Sequence, residues 1–550
     1  MKRWVVKSEI NDKDKILSVL LKNRGIFDKE KFLDPPPLYS YLRSFPLEFK
    51  DSLKIATHKI NEYIKKDLPI VIHGDYDADG ICSTAILYKT IYKNLKHKKC
   101  YAFIPDRFIH SYGLSKSSVS EIKKLVGGER ALLITVDCGI TATEEVKLAE
   151  EKGFEVIITD HHQRPAKLPK VFCIVWNDSV VASTIVLLLS QTLGIKENDF
   201  VAFAALATVT DLQPLVGFNR PLVKEGLEIL NSSTHIGLRK LLEVSGKTKD
   251  AISTYDLGWI IGPRLNSTGR LVNASESLQL LIEEDEAKLR QIANKLNEVN
   301  KERQDKTLKM YELSDIKEIK NIPAIIVKVS ENFHEGVIGL IAAKLTQKYY
   351  RPSIVISMSD GIGKGSVRSI SGIDIISILR KFEDLFESLG GHPMAAGFSI
   401  KKANISKLKN SLEKYCEKNI DKTLLIPFID IDAEVPLNIL DVKVLEELQK
   451  MEPFGIGNLE PVFMSKNVGV TSVNTVGKDA NHLSFKFLFN GNYYKGILFS
   501  RKKEFSNIKI GDSVDIAFNL KSNVYNGKKY MDLMIREMRT ASLLTVSHML

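Results

Sequence analysis

Long apolar runs are missing from this chain of 550 residues. Its most apolar stretches, Ile185–Leu189 and Val201–Leu206, fall far short of the roughly 20 residues a membrane-spanning helix needs, so no membrane association is expected. Cysteine is scarce: Cys82, Cys100, Cys138, Cys173 and Cys416 have neither metal-like nor disulfide-framework spacing. That argues against a disulfide scaffold and a structural zinc, and predicts reduced thiols and a cytoplasmic location. The start, Met1-Lys2-Arg3-Trp4, is charged but leads into no apolar segment, so no signal peptide is expected. Acidic charge is in deficit, with 67 Asp and Glu against 78 Lys and Arg, a net +11. Much of the surplus falls from Lys466 onward, where 13 Lys and Arg face 6 Asp and Glu, and it suits a polyanionic partner.

What is there begins with length. A chain of this size exceeds a single core and predicts three or more domains. Apolar content of 44% and charged content of 26% are ordinary for a globular protein. The organising stretch is Ile70–Ser83. Ile70-Val71-Ile72 predicts a buried strand, His73-Gly74 ends it, and Asp75, Asp77 and Asp79 follow within five residues. Ser83–Tyr92 then predicts a helix. Carboxylates gathered at a strand end repel one another, and a bound cation is the usual compensation. An EF-hand calcium loop is excluded by a further absence: the twelfth position from Asp75 is Ile86, where that loop needs Glu. Taken alone, the three acids fit an ordinary acidic turn equally well.

From Pro69 to about Pro214 strands and helices alternate. Ile70–His73, Leu132–Asp137, Val156–Thr159 and Phe172–Trp176 are continuously apolar, as strands covered on both faces are, and helices such as Thr143–Lys152 lie between them. This predicts a parallel α/β sheet, whose ligands bind beyond the carboxyl ends of the strands. Those ends carry His73 with Asp75, Asp77 and Asp79, then Asp137, then Asp160, His161 and His162, and a helical run Phe200–Thr210 leads to Asp211. Singly, a strand-ending Asp is often only a helix cap. Together the acids and imidazoles suit manganese, magnesium or zinc. Their number would over-neutralise one ion, so two divalent cations sharing a carboxylate fit better, with Asp137 as the candidate bridge.

Farther on, GPRLNSTGR (Gly262–Arg270) places Arg264, Asn266 and Arg270 within seven residues, a basic loop or a guanidinium grip on phosphate. Leu289, Ile292, Ala293, Leu296 and Val299 recur at helical spacing and predict a long amphipathic helix joining two lobes. A second α/β unit follows, with strands Ala324–Val327 and Ser353–Ile356. It contains two Gly-rich pieces, KGSVRS (Lys364–Ser369) and LGGHPMAAGFS (Leu389–Ser399), whose Gly390-Gly391 would let backbone N–H groups approach an anion beside His392. After PFGIGN (Pro453–Asn458) the period becomes two, in Phe485/Phe487/Phe489 and Val514/Ile516/Phe518/Leu520, predicting a small antiparallel barrel. Basic residues (Arg501, Lys502, Lys503, Lys521, Lys528, Lys529) and tyrosines (Tyr493, Tyr494, Tyr525, Tyr530) are interleaved there, which suits single-strand binding.

The ordered pieces Asp77/Asp79, Asp137, Asp160-His161-His162 and Asp211 resemble the four motifs of the DHH phosphoesterases. Beyond Pro214 the resemblance narrows to the RecJ exonucleases of that family, over roughly Lys54 to Arg539. It implies an α/β fold of two lobes, the DHH and DHH-associated domains, joined by a long helix and followed by an OB-like barrel. The expected divisions are 1–68 (helical lead-in), 69–274, 275–315 (linking helix), 316–400, 401–452 (connecting helices) and 453–550. His73, Asp77, Asp79, Asp137, His161 and Asp211 are then expected to hold two cations, manganese or magnesium, with Asp75 a further ligand or a neighbour. Asp160 would orient His161, and His162 would face phosphate. Arg264, Asn266, Arg270, Ser366, Arg368, Gly391 and His392 would bind substrate. The implied activity is 5′ to 3′ degradation of single-stranded DNA to mononucleotides in repair and recombination, by a monomer working with a single-strand-binding protein and a helicase. Two other readings compete: a DHH hydrolase of short oligonucleotides, cyclic dinucleotides or pyrophosphate, and a non-catalytic scaffold. The shorter hydrolases generally lack the aromatic-basic barrel, and a scaffold would lack motif ligands. Two departures, TVTDLQPL around Asp211 and Ser267-Thr268 in place of small apolar residues, remove no donor or ligand.

Overall fold

The continuous apolar runs become buried strands of a parallel sheet. In the computed structural model, which describes residues 2–110, 112–232, 235–247, 251–316, 321–477, 479–525 and 527–540, that sheet consists of β1 (Ile70–His73), β2 (Cys100–Phe103), β3 (Ala131–Val136), β4 (Phe154–Asp160) and β5 (Cys173–Trp176). The order is β2-β1-β3-β4-β5, with every pairing parallel. Every residue of β1 and β3 is buried. On one face Ile70, Ile72, Leu132 and Ile134 pack with α1 (Ala78–Tyr88), α3 (Ala182–Thr192) and α4 (Asn198–Thr210). On the other, Val71, Leu133, Val156 and Ile158 pack with α2 (Thr143–Glu151). Because β1 lies between β2 and β3, the winding reverses there, which opens a crevice at the carboxyl ends of β1 and β3. No strand is expected at β2 from sequence: Cys-Tyr-Ala-Phe is short, lies at the sheet edge and is only partly buried.

The segment GPRLNSTGR is helix, not loop: it forms α5 (Gly262–Leu271). The predicted long helix is α6 (Glu286–Ser314), capped by Asp285, whose carboxylate accepts from Lys288 N–H. Leu289, Ala293 and Leu296 join the first core, and Met310 and Tyr311 pack against Ile341 and Leu345 of the second lobe. That lobe has a sheet of β6 (Ile326–Ser330), β7 (Ser353–Ser359), β8 (Ile362–Arg368), β9 (Phe386–His392) and β10 (Ala395–Lys401), in the order β9-β10-β8-β7-β6. Only β6 and β7 run parallel. The Gly-rich pieces are therefore strands: KGSVRS lies largely in β8, and LGGHPMAAGFS is the β9–β10 hairpin. The helices α7 (Ile338–Tyr349) and α8 (Lys402–Asn419) flank this sheet. Residues 402–419 are not a connector, because Ile405, Leu408, Leu412 and Cys416 form an apolar stripe buried with Ile354, Ile356 and Phe398.

Packing divides the chain into two units, the lobes above (Leu38–Gln213 with Gly217–Ile426) and a second unit of Met1–Pro37, Pro214–Val216 and Pro427–Leu550. The first 37 residues are thus not part of a separate helical lead-in. Arg3–Val6 is a strand, paired in parallel with Phe428–Ile431. Ile10, Ile16, Leu17, Leu20 and Leu21 share a core with Phe463, Phe485 and Phe518. A closed barrel follows the helix α9 (Val442–Gln449): β11 (Phe463–Val476), β12 (His482–Phe489), β13 (Asn492–Leu498), β14 (Ser513–Tyr525) and β15 (Lys528–Thr540) pair in the order β11-β12-β13-β15-β14, and β14 returns to β11. Phe485, Phe487, Val514, Ile516, Phe518 and Leu520 fill it, while Tyr493 and Tyr530 are exposed. Several expected basic residues are ion-paired: Arg501 with Glu504 and Glu537, Lys521 with Glu460, and Lys529 with Glu446. The side chain of Tyr525 lies outside the described residues.

Candidate metal centre

The acidic loop is shaped by the first turn of α1. Asp77 is its N-cap, with Oδ1 accepting from Asp79 N–H at 3.0 Å and Gly80 N–H at 3.1 Å. Gly80 lets the loop fold back on the helix, because a Cβ there would lie 2.5 Å from the Asp75 carbonyl oxygen. Across the crevice, Asp137 follows β3 in the left-handed region at φ 63°. Few residues other than Gly, Asn and Asp take that conformation readily. Carboxylate oxygens of Asp75, Asp77 and Asp137 all lie within 4.8 Å of one another, and ligand atoms of Asp137, His161 and His162 form a second such group. Asp137 is common to both.

His161 Nε2 is 3.1 Å from Asp137 Oδ1, 3.6 Å from Asp79 Oδ2 and 3.9 Å from Asp211 Oδ2. Residues 79, 137, 161 and 211, far apart in sequence, thus converge on one imidazole nitrogen. Asp79 is also tied to the first turn of α3, where it accepts from the N–H groups of Ala182 and Ser183, each at 2.8 Å. Asp211 is the C-cap of α4. His73 joins neither group: its Nε2 lies 3.2 Å from Ser118 Oγ and its Nδ1 3.7 Å from Cys138 Sγ.

Asp160 does not orient His161. Its Oδ1 lies 2.7 Å from His162 Nδ1 and accepts from the N–H groups of His161 and His162, while Oδ2 accepts from Ile140 N–H. The group beside His161 Nδ1 is the Gln213 carboxamide, at 3.3 Å. Sequence reasoning missed Gln213, although it lies only two residues beyond Asp211. His162 Nε2 is 3.2 Å from the Tyr112 hydroxyl, and the His162 carbonyl accepts from Trp176 Nε1 at 2.8 Å.

The electrostatics favour a cation. Burial, then Asp77, pushes the Asp75 carboxyl well up. Burial, then Asp79, Asp77, Asp75 and Asp211, does the same to Asp137. Asp211 is raised to about 8 by burial and by Asp79 and Asp77. Asp75 Oδ1 is buried with no hydrogen-bond partner among the described residues. Such an orphaned oxygen needs a compensating charge. Burial also lowers His161, and it takes His73 to about 4, so both rings are neutral, the form that binds metals. His162 is the exception: burial opposes its cation, but Asp160 outweighs burial and raises it to about 9. Oxygen and imidazole donors with no thiolate suit hard or borderline divalent ions.

Beside the acids lies a set of guanidiniums. Arg107 Nη2 is 2.8 Å from the Tyr76 hydroxyl, Arg270 Nη1 is 3.3 Å from the Gly336 carbonyl, and Arg303 Nη2 is 2.6 Å from Asn300 Oδ1. Burial, then the charges of Arg107, Arg303 and Arg368, brings Arg270 down to about 10. Among the described residues no carboxylate lies within ion-pairing distance of Arg107, Arg264, Arg270, Arg303 or Arg368. Ser366 and Arg368 abut the first turn of α7, where a Cβ on Gly339 would be 3.1 Å from Ser366 Oγ and 3.3 Å from Arg368 Nη2. A helix N-terminus beside unpaired guanidiniums is suited to phosphate. Asn266 is taken up by the acidic loop, its Oδ1 accepting from Ala78 N–H at 2.6 Å. Gly391 and His392 are exposed on β9, the free edge of its sheet, and among the described residues the His392 side chain makes no hydrogen bond or ion pair. No sequence signal marks Arg107, because it follows β2, the strand not expected from sequence. Arg303 is masked in the sequence by the dense charges of α6.

The profile of the DHH family, N-terminal domain, matches residues 69–208, that of the DHHA1 domain 321–418, and that of the RecJ OB domain 431–537. The single-stranded-DNA-specific exonuclease RecJ of Bacillus subtilis is 31% identical over 509 residues, covering 90% of this chain, and this chain spans 64% of that relative's length. RecJ of Thermus thermophilus is also 31% identical, covering 92% of this chain and 72% of the relative. The crystal structure of Thermus thermophilus RecJ in complex with Mn2+ matches with a TM-score of 0.81 at 28% identity, over 98% of this chain and 79% of that one. The Mg2+ complex matches at 0.74 and 27% identity, over 98% of this chain and 78% of that one. Shared sequence over most of its length, three matching domains and a carboxylate–imidazole centre where the parallel sheet reverses place this chain in the RecJ family of DHH single-stranded-DNA-specific exonucleases.

Proposed function

We propose that the chain is an exonuclease that degrades single-stranded DNA from its 5′ end to mononucleotides, with two manganese or magnesium ions at the acidic centre. The observation that carries this is Asp137, whose carboxylate groups within 4.8 Å with those of Asp75 and Asp77 and lies 3.1 Å from His161 Nε2, set beside the orphaned Asp75 Oδ1. Asp75, Asp77, Asp137, His161 and Asp211 would hold the ions, and Asp79 would fix the loop against α3. Bound ions of this kind polarise a phosphoryl oxygen and bring the pKa of a water toward neutrality.

The chain's own residues do the rest. Asp137 would serve both ions as a shared ligand. Gln213 would hold His161 by Nδ1 with its carboxamide oxygen turned to accept from Nδ1–H, leaving Nε2 unprotonated toward the acids. His162, kept cationic by Asp160, has its Nε2 3.2 Å from the Tyr112 hydroxyl, and it would donate to a phosphate oxygen from there as charge builds. Arg107, Arg270 and Arg368 sit at the same end as positive charges without carboxylate partners and suit the terminal phosphate of a strand. Polarity, mononucleotide products, repair and recombination, helicase and single-strand-binding partners, a monomeric state and the cytoplasm are part of this proposal on family membership. No helix among the described residues is long and apolar enough to cross a membrane.

The test uses one oligonucleotide labelled at either end, single-stranded or annealed, with Mn2+, Mg2+ or EDTA. Release of 5′-labelled mononucleotide from the single strand at the earliest times, slow cleavage of blunt duplex and none with EDTA are expected. First release from the 3′ end would overturn the polarity. Cleavage of dinucleotides alone would shift the chain to a short-oligonucleotide hydrolase.

A further inference from the structure

The most exposed tryptophan of the first unit lies outside the centre just described. Trp259 is 72% and Tyr255 63% exposed, yet the two rings stack, with centroids 6.3 Å apart and planes inclined by 23°. They are four residues apart, so they share a helix face. The opposite face of the segment is anchored. Leu257 and Ile261 belong to the first core, and Asp256 is held by Ser253 N–H and Oγ, each at 2.8 Å, and by Lys247 at 2.8 Å. A π-turn over Leu257–Ile261 adds one residue here, a departure common at functional sites. The rings are therefore presented to solvent on a fixed support.

Position points to their use. Gly258 and Gly262 seat this turn on the end of α4. A Cβ on Gly262 would lie 2.3 Å from Thr210 Cγ2, and one on Gly258 3.6 Å from Val209 Cγ1. The residue after Thr210 is Asp211 of the metal centre. On the other side of Trp259, the Ile260 carbonyl accepts from Arg264 Nη1 at 2.8 Å. Arg264 is the nearest in sequence of the guanidiniums without carboxylate partners, and its charge acts on Arg303, which in turn acts on Arg270. Exposed rings thus adjoin a run of positive charge that leads toward the acids.

We infer that Tyr255 and Trp259 form a base-stacking platform for single-stranded DNA still to be digested, with Arg264 taking a backbone phosphate beside them. This deepens the exonuclease reading and rests on it. Aromatic faces bind bases of any sequence, and each stacked base contributes a factor of about 5–150 in affinity. The occupant is nucleic acid because Asp256, between the rings in sequence, is buried and neutralised by Lys247, which leaves the Arg264 guanidinium as the charge beside them without a carboxylate partner.

The chain has three tryptophans, Trp4, Trp176 and Trp259, so the platform reports on itself. In the full chain carrying Asp137→Asn, which keeps DNA intact, titration with (dT)20 should quench indole fluorescence, and Trp259→Phe should remove most of that quench. Trp259→Ala should weaken binding at least about fivefold while Trp259→Phe retains most of the affinity. In the cleaving enzyme Trp259→Ala should raise KM for (dT)20 with kcat changed less than twofold. If the parent neither binds nor degrades (dT)20, the exonuclease reading falls and the platform with it. If the parent degrades (dT)20 but Trp259→Ala binds as tightly as the parent, the platform alone is wrong and the pair belongs to a protein partner.

Discussion

Asp137 is held at φ 63°, a conformation that costs most L-residues about 1–2 kcal/mol and Asn or Asp less. The acid that joins both ligand groups is thus also a backbone exception, as strained positions at functional sites often are. Two substitutions separate charge from conformation. Asp137→Asn keeps the left-handed tolerance and loses the ligand, whereas Asp137→Ala loses both. Both should fall to the activity of an EDTA control, and Ala should be less stable than Asn by about 1 kcal/mol in urea unfolding. Residual metal-dependent cleavage in Asp137→Asn would refute the bridging role. Asp211 supplies the pH dependence. Its carboxyl titrates at about 8 in the native chain against an ordinary value of 3.8. Between those values the native state binds the extra proton, so metal-free stability falls as pH rises through that window. Asp211→Asn has no such charge. It should match the parent near pH 4 and exceed it above pH 8 by roughly 1–3 kcal/mol, a range discounted for solvent access. Urea midpoints in EDTA at pH 5, 7 and 9 check this, and a variant weaker than the parent at pH 9 would sink it. Hydrolysis should be lost at every pH.

Elements carry these residues, and their packing can be tested in the same way. Gly262 seats the π-turn on α4, and a side chain there would meet Thr210 Cγ2 at 2.3 Å and the Leu257 carbonyl at 2.9 Å. Gly262→Ala should cost about 1–3 kcal/mol, as overpacking does, and reduce kcat/KM by displacing Asp211. Thr210→Ser removes the opposing methyl group, so the double variant should recover part of both deficits, a coupling that independent sites would not show. The same contrast between local pattern and packing explains what was legible in the sequence. Ile70–Ile72 and Leu132–Val136 announce central strands because both faces are covered, and the acids after them are legible because this fold binds ligands at that edge. Cys100–Phe103 is an edge strand without an apolar run, so neither it nor the Arg107 beyond it stands out. The pairing of Asp160 with His162 rather than His161 depends on the turn after β4, which residue spacing does not reveal. Gly390–His392 carries no strand signal because glycine is depleted in strands, yet the β9–β10 register places it in one.

At the scale of the whole molecule, the partner of the barrel is the other end of the chain. Ile10, Ile16, Leu17, Leu20 and Leu21 are buried with Leu445, Phe463 and Phe518, an association across more than four hundred residues that no local pattern encodes. A truncation that removes only residues from 466 onward, which charge alone would recommend, therefore splits this shared core and strips Phe463 and Leu445 of Phe485, Phe487 and Phe518. Exposed apolar surface of that kind favours aggregation. The fragment that respects the packing is 38–426, which keeps both lobes and both their sheets. It should fold, bind Mn2+ and cleave short oligonucleotides, while its affinity for a long single strand drops. Neutralising a phosphate releases counterions, so the slope of log K against log salt should flatten by about 0.7 for each phosphate that the barrel no longer neutralises. The change should stay below that of the 13 basic residues beyond 465 taken together, because Arg501, Lys521 and Lys529 are already neutralised by Glu504 and Glu537, Glu460 and Glu446. A salt slope equal to that of the full chain would show that the barrel does not bind the strand. Aggregation of 38–426 together with a soluble 1–465 would overturn the assignment of the N-terminal segment to the barrel.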